Sequence, residues 1–494
     1  MFAVMGFYYR LGLINRAEKF LDHSDEPKMI NLVSAYPSSN AKKLIDRGRG
    51  IFKHPPTTAK FLAFASKHTQ WKLGFRQKLR LINYIVGLSF VLIVSGICFQ
   101  TSGYSGFFLG MALTGTSILS SLSSLFLWND IYISFFTACF CFSLIWFLKT
   151  QTPIFLQLVS FFAVLSAIFK YSGLINLLLG ILCMFFCANH VKQSLKNLLH
   201  YTIGVVLGLI FAFIVVPEIF IHGWKTIAGL LFELDRGLIE HFGFKIPAID
   251  YLGLFMLKNV FFNYESPFFG FFAVFALIYG IKNRNNKIIF VLTICFLVNL
   301  ILFEISSGKP VPQYHRYMLP SYVFLIPLIS HALVAYWNNL CFVLLPVLAL
   351  LLIDNLRTLR ELSVWQKATE FKREQFKNMY LASCERTLAK CTFINKFNPS
   401  KSLKLSEETR SVAYAITDFA LKRYFEARLN TMRQLELQKI YVLLRHSRSL
   451  NVIKPKNGSK PFLNPAVFIY ELNNPRAVIS ALKFLDNAKA KLIN

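Results

Sequence analysis

Long apolar runs alternate with short polar loops along the first 354 residues. Long runs without a charged residue include 81–129, 131–148, 197–217 and 317–353. Because a helix needs roughly 20 apolar residues to cross a bilayer, these runs predict membrane spans. A short helix within 1–15 comes first, and the runs then predict helices near 81–99, 105–127, 131–148, 153–169, 171–189, 200–221, 267–281, 288–304, 317–336 and 339–354. The fold class expected is an all-α polytopic membrane protein with about 11 transmembrane helices.

Basic residues in alternate short loops predict the topology. Lys149, the pair Lys192 and Lys196, and the loop 282–287 carry positive charge without an acid, so the positive-inside rule makes these loops cytoplasmic. The opposite, outer side then receives the polar loop 17–80, the connection 218–265 and the stretch 304–316. An odd number of spans also predicts an outer location for the C-terminal tail. Residues 1–15 are short for a span and lack the basic leader and cleavage site of a removable signal peptide, so they are predicted to form a short or tilted first membrane helix.

The sequence becomes polar after Asp354, which predicts a domain boundary there. Residues 1–354 form the predicted transmembrane domain, including outer loop 17–80, and residues 355–494 a small mixed extramembrane domain. In that domain helices are predicted to about 378 and over 405–436, and strands at 439–444 and 466–471.

Composition limits the classes of function. The chain is 55% hydrophobic and 16% charged, which excludes a disordered chain and most soluble enzymes. Its net charge of +29 fits nucleic acid, an anionic membrane surface or a phosphate-bearing substrate as partner. The basic excess lies in 17–80 and after 355, on both sides of the apolar body, so no nucleic-acid partner is predicted. Cysteines within the apolar runs lack metal-ligand spacing and are interpreted as small buried hydrophobic residues.

Three acidic residues fall on the predicted outer side. Asp25 and Glu26 follow the first helix, and Asp130 begins the helix after the longest apolar run. Ionisable groups that converge at one edge of a helical bundle are functional candidates. Helix capping at the interface is the alternative explanation.

Several cations are predicted on the same side. The stretch KPVPQYHRY at 309–317 brings them to the membrane interface, and Lys170 with Tyr171 ends the fifth helix. Arginine and lysine suit phosphate oxygens, although snorkelling to lipid headgroups explains the same positions. The substrate-binding candidates are His54, Lys170, Tyr171, Lys309, Tyr314, His315 and Arg316.

These residues resemble the GT-C superfamily of integral-membrane glycosyltransferases, particularly its protein O-mannosyltransferase-like and aminoarabinose-transferase-like branch. The likeness covers about residues 8–336 and rests on the order of its motifs. The motifs are YRLG at 9–12, DEP at 25–27, HPP at 54–56, ND at 129–130 with FF at 135–136, KYSGL at 170–174, HFG at 241–243 and RYMLP at 316–320.

The resemblance implies inverting transfer of one sugar from a polyprenyl-phosphate donor to a lipid, glycan or protein acceptor on the outer face. By this resemblance Asp25 is the catalytic base, and Glu26 and Asp130 orient the acceptor or bind a divalent cation. This branch of the superfamily does not uniformly require a metal. Lys170, His315 and Arg316 would hold the donor phosphate. A bacterial inner membrane is the expected location, with the endoplasmic reticulum membrane as the alternative.

Two other classes remain open. A lipid-linked sugar flippase or a secondary transporter would place ionisable residues near the midplane of broken helices. A polyanion-binding membrane protein with a cytoplasmic basic tail would require one miscounted helix.

Overall fold

The computed structural model describes residues 1–14, 26–36, 55–187, 191–238, 256–305, 314–386, 391–394, 411–417, 431–453 and 467–473, with a few positions between 478 and 485. The described residues divide into two compact units, one formed by residues up to 359 and the other by residues from 360 onwards.

The first unit is built of helices, the last of which continues past residue 359. Their bounds are α1 Phe2–Ile14, α2 Glu26–Ala35, α3 Thr57–His68, α4 Phe75–Thr116, α5 Ile118–Leu125, α6 Asp130–Thr150, α7 Pro153–Phe169, α8 Leu174–Cys187, α9 Val191–Val215, α10 Glu218–Ile221, α11 Gly223–Leu238, a π-helix Leu257–Glu265, α12 Pro267–Lys282, α13 Lys287–Ile305 and α14 Leu319–Arg386. Two 3₁₀ turns, Tyr171–Gly173 and Tyr314–Met318, precede α8 and α14.

Within the described residues, five helical stretches are long and apolar enough to cross a membrane, and three apolar helices of 10–17 residues accompany them. The five stretches are Phe75–Thr116, Asp130–Thr150, Gln193–Val215, Lys287–Glu304 and Arg316–Arg360. The prediction of an all-α polytopic membrane body is therefore confirmed. The apolar runs were sufficient for this prediction, because a backbone in lipid must satisfy its own hydrogen bonds and a helix does so within one segment.

The helix α4 reverses direction at Gly103. This glycine has a φ of 67°, in a region that residues other than glycine rarely adopt. Beyond the turn, an added Cβ at Gly110 would meet the Cys98 sulfur at 2.6 Å, so the two halves of α4 pack side by side. The division predicted between 99 and 105 is confirmed.

A second break separates α4 from α5 at Ser117, where the sequence predicted one helix over 105–127. Ser117 has ψ 128° instead of a helical value, and its hydroxyl accepts a hydrogen bond from the amide of Ser120 at 3.0 Å. All eight residues of α5 are buried, including four serines. The continuous helix was a wrong prediction, because an apolar and serine-rich run is compatible with unbroken helix.

The two spans predicted at 317–336 and 339–354 form one helix, α14, with Pro327 and Pro346 inside it. The predicted division fell at 337–338, and these residues are exposed on a continuous helix. The count of 11 spans is therefore not confirmed. The outer location predicted for the tail depended on an odd number of spans, so it stays a prediction.

The predicted topology is tested by cysteine labelling from outside the cell. We expect a cysteine at Lys192 to be protected and one at Asp250 to be labelled, because the positive-inside rule separates their loops. A cysteine at Ser400 reports the side of the tail. Labelling of Ser400 only after permeabilisation would contradict the predicted outer tail.

The second unit contains a four-stranded sheet. Its strands are β1 Cys391–Ile394, β2 Ser411–Thr417, β3 Ser447–Ile453 and β4 Val467–Leu472, and α15 spans Thr431–Arg445. The sheet order is β1-β2-β4-β3, with β1 parallel to β2 and the other pairs antiparallel.

Two elements of this unit differ from the prediction. Residues 411–417, predicted as helix, form β2, one of the two inner strands, and residues 439–444, predicted as strand, belong to α15. Ile440 and Leu443 lie one helical turn apart and pack against Val412, which explains the helix. Burial raises the pKa of Tyr414 in the same core. The strand predicted at 466–471 is confirmed by β4.

Candidate active site

Asp130 lies in the first turn of α6, where the helix dipole favours an anion. Its side chain is only 3% exposed. The backbone carbonyl of Asp130 accepts a hydrogen bond from the hydroxyl of Ser134 at 2.6 Å. A carboxylate this deeply buried requires charged or hydrogen-bonding partners.

Lys170 supplies the first partner. α7 ends at Phe169, and Lys170 leaves the helix in an extended conformation with its amide still bonded to the Ser166 carbonyl. Its Nζ lies 2.5 Å from Asp130 Oδ1, and its side chain is 13% exposed. The end of α7 therefore directs a buried cation onto the start of α6.

Arg316 supplies the second partner from the 3₁₀ turn before α14. Its Nε lies 3.4 Å from Asp130 Oδ2, and its side chain is 10% exposed. The two oxygens of Asp130 thus face two cations from different segments of the chain. We call Asp130, Lys170 and Arg316 the Asp130 cluster.

Aromatic rings cover the cations of this cluster. The Arg316 guanidinium lies 4.9 Å from the ring centroid of Trp128 and 5.3 Å from that of Tyr317. The Lys170 Nζ lies 3.9 Å from the centroid of Tyr317. Cation–π contacts stabilise a desolvated cation while leaving its N–H groups available. Neither Trp128 nor Tyr317 was predicted as a site residue, although Trp128 lies two residues before Asp130.

Two cations and one carboxylate give the cluster a formal charge of +1. In surroundings with little water, such an excess attracts an anion more strongly than it would in bulk solvent. Lysine and arginine both donate well to phosphate oxygens. The arrangement is therefore suited to binding a phosphate beside Asp130.

The segment that follows His54 packs close to this cluster. Pro55, Pro56 and Thr57 are buried, and the Thr57 hydroxyl donates a 2.5 Å hydrogen bond to the carbonyl of Ile168 near the end of α7. His54 itself lies outside the described residues. Tyr171 is half-buried in the turn after Lys170.

The other predicted site residues are described only in part. Asp25 and Lys309 lie outside the residues that the structure describes, and the backbone of Glu26 begins α2. Tyr314 and His315 lie in the same 3₁₀ turn as Arg316. Their roles stay predictions.

A second and more exposed ion pair joins α3 to α10. Lys60 Nζ lies 2.9 Å from Glu218 Oε1, with side chains 32% and 20% exposed. Tyr36, one residue after α2, is influenced by the same acid: burial and then the charge of Glu218 raise the pKa of its hydroxyl.

Two of the three residues predicted as possible metal ligands, Asp25 and the side chain of Glu26, lie outside the described residues. No group of three histidine, cysteine, aspartate or glutamate side chains able to hold a metal occurs among the residues that the structure describes. A metal bound at Asp130 would displace Lys170 or Arg316 from its oxygens.

Searches against family models and curated proteins give no match for this sequence. Among solved structures, the chain is similar to ArnT from Cupriavidus metallidurans in the apo state, with 14% identity and a TM-score of 0.48 over 74% of this chain and 67% of ArnT. For the same ArnT bound to undecaprenyl phosphate the values are 14% and 0.46, over 90% and 70%.

A third similarity is to an oligosaccharyltransferase from Archaeoglobus fulgidus in complex with zinc and sulfate. Identity is 13% and the TM-score 0.45, over 76% of this chain and 55% of that one. ArnT and the oligosaccharyltransferase are GT-C glycosyltransferases, the class that the motifs resemble. At these TM-scores and identities the similarity assigns neither an activity nor a substrate to this chain.

Proposed function

We propose that this protein is a GT-C-type membrane glycosyltransferase. It transfers a single hexosyl or pentosyl group from a polyprenyl-phosphate donor to a lipid, glycan or protein acceptor, with inversion at the anomeric carbon. The location proposed is a bacterial inner membrane, with the endoplasmic reticulum membrane as the alternative.

The Asp130 cluster is the observation that carries this proposal. Lys170 and Arg316 come from segments 146 residues apart and meet on one buried carboxylate. Both cations lie against aromatic rings, so their charge is held in place while N–H groups remain to bind phosphate. A phosphate linked to a polyprenyl chain fits a cationic site within an apolar helical body.

The reaction needs an acceptor oxygen, a base and a stabilised leaving group. The acceptor hydroxyl attacks the anomeric carbon, and its proton passes to the carboxylate proposed as base, Asp25. The bond between the anomeric carbon and the phosphate oxygen breaks, and the polyprenyl phosphate leaves with the electron pair. Lys170 and Arg316 stabilise the charge that develops on that phosphate, a contribution that is often the largest in group transfer.

Asp130 acts in this proposal on the cations instead of on the acceptor. Asp130 was predicted to orient the acceptor or to bind a metal, whereas its two oxygens face Lys170 and Arg316. Asp130 then keeps the two cations at a fixed separation before the donor arrives, so that the site is preorganised.

The alternative of a flippase or secondary transporter has less support. Transporters bind substrates and ions at the open ends of broken helices. At the break between α4 and α5, Glu265 accepts from the amides of Ile118 and Leu119, and Arg10 donates to the carbonyls of Thr114 and Gly115. The chain's own side chains thus occupy the helix ends that a transported solute would need.

The activity is tested by incubating purified protein with candidate polyprenyl-phosphate sugars and an acceptor extract. Release of free polyprenyl phosphate together with acceptor labelling supports a transferase. Movement of intact lipid-linked sugar across proteoliposomes, without release of free lipid phosphate, would support the flippase instead.

Replacement of Arg316 by alanine tests the phosphate role. We expect Arg316→Ala to weaken donor use by about 1.5–3 kcal/mol, because a charged hydrogen-bond donor to phosphate is lost. The measurement is kcat/KM at subsaturating donor, with thermal unfolding as the check on folding. Arg284→Ala, in the predicted cytoplasmic loop, is the matched control. Unchanged turnover of Arg316→Ala at low donor concentration would remove the phosphate role.

A further inference from the structure

Glu265 ends the π-helix and is fully buried, yet it lies outside the Asp130 cluster. Its carboxylate accepts hydrogen bonds from two segments that are far apart in the sequence. The donors are the Ser117 hydroxyl at 2.7 Å, the amides of Ile118 and Leu119 at 2.9 Å and the Tyr322 hydroxyl at 3.1 Å. This carboxylate therefore caps α5 and also holds the first turn of α14.

The two segments that Glu265 joins lead directly to the Asp130 cluster. α5 ends at Leu125, three residues before Trp128 and five before Asp130. Tyr322 follows Arg316 by six residues at the start of α14. Any shift of α5 relative to α14 would therefore change the position of Asp130 relative to Arg316.

The far end of α5 is also held. The Asn83 amide donates to the carbonyls of Ser123 at 3.1 Å and Phe126 at 2.7 Å. With Glu265 at its first turn and Asn83 at its last, this short helix is fixed at both ends by side chains from other helices. Because a packed helix is stiff over eight residues, its two ends move together.

We propose that Glu265 is a positioning residue for the phosphate site. It sets the spacing of the Asp130 and Arg316 segments through α5 and Tyr322, so that both cations meet Asp130. This inference rests on the proposed function and names a residue that acts through Arg316 without touching the donor.

The test measures binding of a polyprenyl phosphate to full-length protein in nanodiscs. Glu265→Gln places an amide nitrogen, which cannot accept a hydrogen bond, where donors converge. Tyr322→Phe removes only the hydroxyl that links Glu265 to α14. We expect each variant to bind about tenfold more weakly than the wild type. Asn299→Ala is the control, because this buried amide donates to the Cys295 carbonyl of its own helix.

A double-mutant cycle separates positioning from stability. If Glu265 acts through Arg316, Glu265→Gln combined with Arg316→Ala should bind no more weakly than Arg316→Ala alone, within about twofold. Additive losses, or wild-type binding by Tyr322→Phe, would overturn the inference. Tyr322→Phe keeps the test decisive if Glu265→Gln fails to fold. Failure of wild-type protein both to bind polyprenyl phosphate and to transfer sugar would overturn the proposed function itself.

Discussion

Asp25→Asn should lower turnover by about a hundredfold or more while leaving expression and donor binding intact. Asparagine keeps the shape of aspartate but cannot accept the acceptor's proton, and general-base help is typically worth ~10²–10⁴ in rate. The measurement is kcat with a polyprenyl-phosphate sugar at saturating donor and acceptor. Asp22→Asn, three residues earlier in the same predicted outer loop, is the matched control.

The comparison with Asp130→Asn decides which carboxylate is the base. Near-normal turnover by Asp25→Asn, with loss in Asp130→Asn at saturating donor, would move the base to Asp130. Normal turnover by both variants would count against the transferase proposal as a whole.

Asp130→Asn should reduce stability as well as donor use. The substitution leaves Lys170 and Arg316 facing each other without their buried counter-charge, and breaking a buried ion pair typically destabilises a protein by about 3–5 kcal/mol. A bound phosphate would restore an anion to the two cations. We therefore expect polyprenyl phosphate to raise the melting temperature of Asp130→Asn more than that of the wild type.

Glu218→Gln is the control for this second prediction. It breaks the more exposed ion pair with Lys60, and such pairs contribute about 0–1 kcal/mol. Equal melting temperatures of Asp130→Asn and wild type would show that the buried pairs contribute little. If polyprenyl phosphate raised the melting temperatures of Asp130→Asn and wild type equally, phosphate binding at the two cations would be contradicted.

The apolar body was predictable where local sequence decides the structure. α7 spans Pro153–Phe169, the bounds that the sequence predicted, because a proline begins the run and a lysine ends it. The break at Ser117 was not predictable, because the groups that stabilise it come from far along the chain. Glu265 lies 148 residues from Ser117, and no local pattern indicates that pairing.

The candidate site was predictable in its residues and not in their pairing. Asp130, Lys170 and Arg316 were assigned to one predicted side by the order of apolar runs. That Lys170 and Arg316 both face Asp130 depends on how α6, α7 and α14 pack, which periodicity does not determine. Trp128 was overlooked because an aromatic residue in an apolar run carries no signal of its own.

The burial of Arg10 has a consequence for the order in which the protein assembles. α1 is predicted as the first membrane helix and has only 13 residues, and an arginine within a membrane helix opposes insertion by up to about 2.5–3.5 kcal/mol. The carbonyls and hydroxyl that receive its N–H groups, in Thr114, Gly115 and Ser121, are synthesised more than 100 residues later. We therefore expect α1 to pack stably against the rest of the protein only after α5 has emerged from the ribosome.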